Sequence, residues 1–330
     1  MNFFEKVNAK HIPSVDLVKF MMAIFVVAIH THPYTCIENA YLSFFVSKLI
    51  SLAVPFFFVA SGFFLWRKID NAIYADKLQI LRRWILRLVK LYVIWTFIYL
   101  PFTIYGYVVD GLSPLKALLV FVRNFLFVGE NMYSWPLWYL LAMITAGVIM
   151  YFMVYWRFKK NYIYAFALLA LMLGIIIDNT KGTSDLSLLY FKLFHTTRNG
   201  LFVGLPYLII GAIIALNGII TKRSVLIPLL IIGFLLHCCG FVVARYFVAY
   251  ILFSLILGIN IKNDDKVFSS FRVSSIVVYL VHMIFVGIIT ILNLDVSSVG
   301  LFAIVMLISL LTSLIVVKYR TSGVVKLIFQ

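Results

Sequence analysis

One apolar stretch of the chain contains three ionisable side chains. Residues 14–33 read S-V-D-L-V-K-F-M-M-A-I-F-V-V-A-I-H-T-H-P and contain Asp16, Lys19 and His30. About 20 mostly apolar residues are enough to cross a hydrocarbon core of about 30 Å, so this stretch predicts a membrane-spanning helix. Ionisable groups inside such a helix are costly and usually mark a functional site.

The spacing of Lys19 and His30 places both side chains on one face of this helix. Eleven residues at about 100° each come to about 20° beyond three full turns, with a rise of about 16 Å. Asp16 lies close to the same face and is predicted to hold the Lys19 ammonium as its partner. An imidazole titrates near neutrality, so His30 is a candidate general base toward a hydroxyl, or a group that is itself acylated. The alternatives are an interfacial histidine bonded to a backbone carbonyl, and a lysine that reaches the inner membrane surface.

The composition places the chain among polytopic membrane proteins. Of its 330 residues, 64% are hydrophobic and only 12% are charged, a balance that excludes an ordinary soluble domain. The net charge of +16 does not indicate nucleic-acid binding, because the basic residues cluster between apolar runs, as they do in membrane proteins. The three cysteines, at positions 36, 238 and 239, show no disulfide framework and no metal-ligand spacing, so no metal is expected.

The apolar segments predict an all-α, polytopic membrane helical bundle with ten spans. They lie at about 14–33, 43–66, 88–109, 135–156, 161–178, 199–216, 224–241, 245–260, 273–294 and 299–317. An even number of spans places both chain termini on the same side of the membrane. About 20 of the 28 basic residues then fall on that side, which predicts cytoplasmic termini. Amphipathic runs in residues 112–134 and 179–198 predict two helices on the outer side that lie parallel to the surface or re-enter the membrane, with an ordinary loop as the alternative for either. We expect one integral-membrane domain over residues 1–330 and no soluble domain.

Two motifs in the correct order resemble a known family. Lys19, ten residues and His30 match the first span of the bacterial acyltransferase 3 family, in which Arg or Lys precedes His at that spacing. Residues 54–63, V-P-F-F-F-V-A-S-G-F, resemble the family's V-P-x-F-F-x-x-S-G-F signature. Weaker similarity covers the basic start of the third span and three further segments, Trp135–Leu140, Arg198–Tyr207 and Tyr279–His282.

The resemblance implies an enzyme of the inner (cytoplasmic) membrane that works within the lipid bilayer. It implies transfer of an acyl group, most often acetyl, from cytoplasmic acyl-CoA to a hydroxyl of an envelope glycan or lipid-linked carbohydrate. The catalytic residues that it implies are His30 and His282, and Asp16, which lies three residues before Lys19 in the first span, is a third catalytic candidate. The residues that it implies for the donor, acetyl-CoA, are Lys19, Ser61, Arg83 and Arg87. The substrate-binding candidates on the outer side are Glu130, Trp138, Tyr139, Arg198 and Asn199.

Each of these residue types also fits a structural role. Arg83 and Arg87 lie four residues apart on one helical face, which suits a phosphate clamp as well as an anchor at the inner surface. Ser61 precedes a glycine, a pair that suits close helix packing as well as ligand contact. Trp138 fits an aromatic belt at the interface as well as a wall that stacks a sugar. A buried His282 near mid-membrane needs a partner, either in the catalytic cavity or between helices.

A second resemblance belongs to a different functional class. The phrase V-D-L-V-K-F…V-V-A-I-H-T-H-P makes the first span similar to the membrane half of the vancomycin-resistance membrane serine racemases. That half has been thought to move serine across the membrane, so transport of a small amino acid is the alternative function. A transporter is expected to show repeated halves or broken spans at the midplane. Gly and Pro interrupt several spans, but no internal repeat is apparent in the sequence, and the missing repeat favours the acyltransferase.

Overall fold

The fold is helical throughout the residues that the structure describes. The structure, a computed structural model, describes residues 11–70, 72–218, 222–262 and 264–329, and these ranges contain no strand. The α-helices of these ranges, numbered in chain order, are α1 Pro13–Thr31, α2 Ala40–Ile50, α3 Ala53–Asp70, α4 Tyr74–Val109, α5 Pro114–Arg123, α6 Leu137–Tyr155, α7 Lys160–Asn179, α8 Asp185–Phe194, α9 Leu205–Asn217, α10 Arg223–Cys238, α11 Val242–Gly258, α12 Asp265–Ile291, α13 Ser298–Lys318 and α14 Gly323–Phe329. A short 3-10 helix covers Pro33–Cys36, and π-helical turns cover Asn124–Val128 and Gly200–Gly204.

The predicted all-α membrane bundle is confirmed. Within the described ranges, eight helical segments are long and apolar enough to cross a membrane. The predicted seventh and eighth spans correspond to the shorter apolar helices α10 and α11, of 16 and 17 residues. The third span was predicted to start near residue 88, but α4 starts at Tyr74 and is 36 residues long. Its basic segment continues the helix because Arg, Lys and Leu are good helix formers.

The two amphipathic runs predicted for the outer surface both form helices. Residues 112–134 contain α5, and residues 179–198 contain α8. Each helix carries a row of exposed leucines: Leu115, Leu118 and Leu119 on α5, and Leu186, Leu188, Leu189 and Leu193 on α8. Exposed apolar side chains beside charged ones suit a helix that lies in the membrane interface. Their position on the outer surface stays a prediction.

The chain divides into two compact units. Among the described residues, the first consists of residues 11–67, 210–218, 222–262 and 264–329, and the second of residues 68–70 and 72–209. In the first unit, α12 packs against α1 and α13, and α10 packs against α11; in the second, α4 packs against α6. The first unit contains segments from the N-terminal and C-terminal parts of the chain. The candidate catalytic residues Asp16, His30 and His282 therefore belong to one unit although they are far apart in sequence. The expected single membrane domain over residues 1–330 stays a prediction.

Helices α3 and α9 approach each other backbone to backbone within the first unit. A Cβ atom placed on Gly211 of α9 would meet the carbonyl oxygen of Val59 and lie 2.5 Å from the backbone nitrogen of Phe63. It would also lie 3.0 Å from the carbonyl carbon of Gly62. In lipid, where apolar surfaces gain little by avoiding water, such close packing drives helix association. The Ser61–Gly62 pair therefore lies at a helix crossing.

We expect Gly211→Ala to lower the free energy of unfolding by about 1–3 kcal/mol, the usual cost of overpacking, because backbone atoms cannot rotate away from the added methyl group. Thermal unfolding in detergent, followed by size-exclusion chromatography, measures the change. Gly323→Ala is the matched control, since a Cβ there meets open space. A Gly211→Ala variant as stable as the wild type would contradict the backbone crossing.

Candidate active site

Helix α1 positions three of the candidate residues. Pro13 begins the helix. A backbone N–H in the first turn has no intrahelical acceptor, so its absence in proline costs no hydrogen bond, and the fixed φ of proline suits this position. The helix ends at Thr31, and the next residue, His32, adopts the left-handed conformation (φ 52°) and donates its backbone N–H to Ala28 O at 3.0 Å. His30 therefore lies in the last turn, and Asp16 in the first.

The structure brings two predicted catalytic residues together, His30 of α1 and His282 of α12. Their ring centroids are 5.3 Å apart, with an interplanar angle of 37°. His282 is completely buried, and its Nδ1 lies 3.1 Å from the carbonyl oxygen of Val278. A carbonyl can only accept, so Nδ1 carries the proton and Nε2 carries a lone pair. That Nε2 is buried and has no hydrogen-bond partner among the described residues.

The buried Asp16 forms an ion pair with the partly exposed Arg272 of α12. Arg272 Nη1 donates to Asp16 Oδ2 at 2.9 Å, and the two side chains are 28% and 3% exposed. The hydrogen-bonded partner is therefore not Lys19, as the sequence predicted, although the carboxylate still attracts that ammonium. The packing of α12 on α1 supplies a guanidinium with directed N–H groups, which pairs with a carboxylate better than an ammonium does. The sequence showed Arg272 only as one of many basic residues.

Lys19 contacts an aromatic ring that it shares with a second cation. Its Nζ lies 4.5 Å from the centroid of the Phe64 ring, and the guanidinium carbon of Arg67 lies 5.6 Å from the same centroid. The negative face of the ring attracts both cations, which repel each other. Because Arg272 already neutralises Asp16, this cluster carries an excess of positive charge and suits an anionic ligand. Sequence reasoning missed Phe64 and Arg67, although Phe64 directly follows the V-P…S-G-F signature.

The other donor-binding candidates occupy different surroundings. Ser61 is partly buried on α3 at the helix crossing, one turn before Phe64. Arg83 and Arg87 belong to the second unit and are exposed on α4. They share a helical face, as predicted, and their contact with a donor stays a prediction. Among the described residues, no group of three or more His, Cys, Asp or Glu is arranged to hold a metal ion.

Three of the predicted substrate-binding residues meet in the second unit. Arg198 Nη2 lies 3.5 Å from Glu130 Oε1, and the two side chains are 58% and 22% exposed. The guanidinium carbon of Arg198 also lies 5.6 Å from the centroid of the Trp138 ring. Burial raises the pKa of the Glu130 carboxyl, and the Arg198 charge opposes that shift. The cluster thus presents an exposed guanidinium between a carboxylate and an indole.

Close glycine packing holds this cluster against α6. Gly129, at φ 84°, precedes Glu130, and a Cβ there would lie 2.7 Å from Trp138 Cα. Gly200 follows Arg198 by two residues, and a Cβ there would lie 2.5 Å from the carbonyl oxygen of Ala142. Both backbone segments therefore touch the N-terminal half of α6, which brings their charged side chains together.

Asn199 and Tyr139 complete the predicted substrate-binding set. Asn199 Oδ1 accepts hydrogen bonds from the backbone nitrogens of Leu201 and Phe202 at 3.0 and 2.9 Å, and its Nδ2 donates to the Tyr190 hydroxyl at 2.7 Å. These bonds cap the π-helical turn Gly200–Gly204, a structural role that the sequence did not predict. Tyr139 is partly buried near the start of α6. Contact of either residue with a substrate stays a prediction.

Comparisons with known proteins give one family match and several curated relatives. The family model described as "Acyltransferase domain" (Acyl_transf_3) matches residues 12–318. A protein named "Amino-acid racemase" from Enterococcus faecalis is 30% identical over 212 residues, which are 61% of this chain and 28% of that protein. A "Serine/alanine racemase" from Enterococcus gallinarum is 27% identical over 262 residues, which are 74% of this chain and 36% of that protein. The chain thus spans about a third of the length of these relatives. No solved structure matches it.

We expect Asp16→Asn to lower the free energy of unfolding by about 1–3 kcal/mol, because it leaves the partly buried Arg272 guanidinium without its carboxylate partner. Thermal unfolding in detergent measures the loss, and the double variant Asp16→Asn/Arg272→Gln is expected to regain part of it. Asp70→Asn is the matched control. The Asp70–Lys160 pair, at 3.2 Å, has side chains that are 40% and 55% exposed, and such surface pairs contribute about 0–1 kcal/mol. Equal losses for the two single variants would contradict this interpretation of the Asp16–Arg272 pair.

Proposed function

This chain belongs to the acyltransferase 3 family, and from that premise we propose that it transfers an acyl group, such as acetyl, from cytoplasmic acyl-CoA to a hydroxyl of a cell-envelope glycan or lipid-linked carbohydrate. Family membership supports a multi-pass membrane acyltransferase. The donor and the acceptor are our proposal. The observation that carries it is the contact of His30 with the fully buried His282, which α1 and α12 bring together toward the opposite end of α1 from a cationic cluster.

His30 is the proposed general base. It removes the proton of the acceptor hydroxyl, and the oxygen attacks the carbonyl carbon of the acyl thioester. The carbon–sulfur bond then breaks, and the CoA thiolate takes the proton from His30, so the histidine is regenerated. Asp16 and His282 support His30 without taking part in these bond changes. Asp16 does so by pairing with Arg272, which ties α1 to α12.

Lys19 is the proposed binding group for the donor. It lies about 16 Å along α1 from His30, a distance that suits a pantetheine arm reaching from phosphates to a thioester. Its ammonium belongs to the cationic cluster with Arg67 around Phe64, and phosphate oxygens pair well with such cations. Ser61 lies one helical turn from Phe64 and is a further proposed contact.

The second unit offers proposed groups for both substrates. Arg83 and Arg87, exposed and four residues apart on α4, suit phosphate binding. The cluster of Glu130, Trp138 and Arg198 suits a carbohydrate, because a flat indole stacks against a sugar ring and the charged groups bond its hydroxyls. Tyr139 and Asn199 adjoin this cluster in sequence. The excess of basic residues on one side supports cytoplasmic termini in the inner membrane, with the acceptor cluster on the outer side.

The second candidate function is transport of a small amino acid such as serine. The similarity to a serine/alanine racemase supports it, and the match covers 74% of this chain. Uptake of labelled serine into vesicles that contain the purified protein distinguishes the two functions. Uptake that survives His30→Ala, without release of CoA from acetyl-CoA, would favour transport.

We expect His30→Ala to lower the rate of CoA release from acetyl-CoA by about 10²–10⁴-fold, the usual contribution of a general base. The assay uses purified protein in detergent, with CoA followed by a thiol reagent. His32→Asn is the matched control, because His32 is exposed and holds a left-handed conformation that Asn tolerates. Equal rates for His30→Ala and wild type, in folded protein, would contradict the assignment of His30.

We expect Lys19→Gln to raise KM for acetyl-CoA by about 10–100-fold with little change in kcat, because one hydrogen bond to a charged group contributes about 1.5–3 kcal/mol. Steady-state kinetics on the same preparation measure both constants. Lys48→Gln is the matched control, since Lys48 also lies over an aromatic ring, that of Phe44 at 5.1 Å, but on another helix. A loss confined to kcat would place Lys19 away from the donor.

A further inference from the structure

The carbonyl oxygen of Val278 fixes the tautomer of His282. Val278 precedes His282 by one helical turn, and its oxygen lies 3.1 Å from Nδ1. The ring must therefore donate through Nδ1, which leaves a lone pair on Nε2. Because both residues belong to α12, this tether is independent of what binds nearby. His282 is held in one orientation and one protonation pattern.

The lone pair of His282 is a buried acceptor without a donor. The side chain is completely buried, and Nε2 has no hydrogen-bond partner within the described part of the chain. An unpaired buried acceptor lowers stability, so a donor that reaches Nε2 in another state of the protein would be bound favourably. The neighbouring aromatic rings are those of His30, at a centroid distance of 5.3 Å, and Tyr279, at 6.4 Å. His30 is the ring that gains a proton during the proposed reaction.

We propose that His282 is the positioning residue of His30: its Nε2 accepts a hydrogen bond from the His30 ring when His30 takes up the proton of the acceptor hydroxyl. The inference rests on the proposed function. Neutral imidazole has one N–H, whereas imidazolium has two, so proton uptake creates the donor that Nε2 lacks. A small rotation brings two rings at this separation into hydrogen-bond distance.

The hydrogen bond acts on the transition state rather than on substrate binding. It is absent while His30 is neutral and forms as positive charge develops, which is the condition for lowering a barrier. His282 keeps its Nδ1 proton throughout, and no covalent bond to it forms or breaks. The proton moves from the hydroxyl to His30 and then to the leaving thiolate. Loss of the acceptor at Nε2 should lower kcat by about 10–100-fold and leave KM for the donor unchanged.

Two amide variants separate this role from a structural one. In His282→Asn, the amide nitrogen replaces Nδ1 and keeps the tether to Val278, but nothing replaces Nε2. In His282→Gln, the longer side chain places the amide near the Nε2 position, where its oxygen accepts a hydrogen bond. We measure kcat and KM for acetyl-CoA with purified protein in detergent. Thermal unfolding shows whether each variant is folded.

We expect His282→Gln to keep kcat within about threefold of wild type and His282→Asn to lose about 10–100-fold, the loss of one charge-assisted hydrogen bond. A structural tether predicts the reverse order, and that result would overturn the inference. Equal large losses would also overturn it, because they would make His282 the proton acceptor itself, a role that neither amide can fill.

A double variant tests whether His282 acts through His30. In a His30→Ala background, His282→Asn is expected to cause no further loss, because the residue that it positions is already absent. A second full loss would show independent action and overturn the inference. The two proposals fail on different results. If wild-type protein shows no His30-dependent release of CoA, the proposed reaction is wrong. If wild-type activity is normal but His282→Asn keeps more activity than His282→Gln, only the role of His282 is wrong.

Discussion

The packing of α12 against α1 is the constraint on which the candidate active site depends. One contact is the ion pair of the buried Asp16 with Arg272, and the other is the histidine pair His30–His282. They occur in the same order along both helices, so the helices run parallel, as the topology predicts for the first and ninth spans. A carboxylate and a guanidinium inside a membrane protein are costly when unpaired. The ion pair therefore fixes the lengthwise alignment of the two helices, and this alignment sets the position of the two imidazoles.

Charge separates the two ends of α1 chemically. Near its start, Lys19 and Arg67 surround the ring of Phe64 while Asp16 is occupied by Arg272, so the local excess charge is positive and suits an anion. In its last turn His30 faces a second, fully buried imidazole. A group-transfer site needs this division, because the charged part of a donor and its reacting carbon require different surroundings.

The chain matches a family of acyltransferases and is also similar to proteins named as racemases. The family match covers residues 12–318, whereas the racemases are matched over about a third of their length. A shared membrane scaffold does not by itself decide a reaction, since function belongs to the site rather than to the fold. The residues that separate the candidate functions are therefore those at the two ends of α1, and the histidine pair favours proton transfer over simple passage of a solute.

The sequence by itself predicted the all-α membrane bundle, although not every helix boundary, and it predicted a shared face for Lys19 and His30. Hydrocarbon thickness sets the length of a span, the backbone must satisfy its own hydrogen bonds there, and the helical period places the side chains. It also predicted His282 as a candidate, although not its tautomer. The partner of Asp16, the ring shared by Lys19 and Arg67, and the crossing at Gly211 required the tertiary structure. Such contacts join residues on different helices, up to 256 positions apart, and local periodicity carries no information about which helix packs against which.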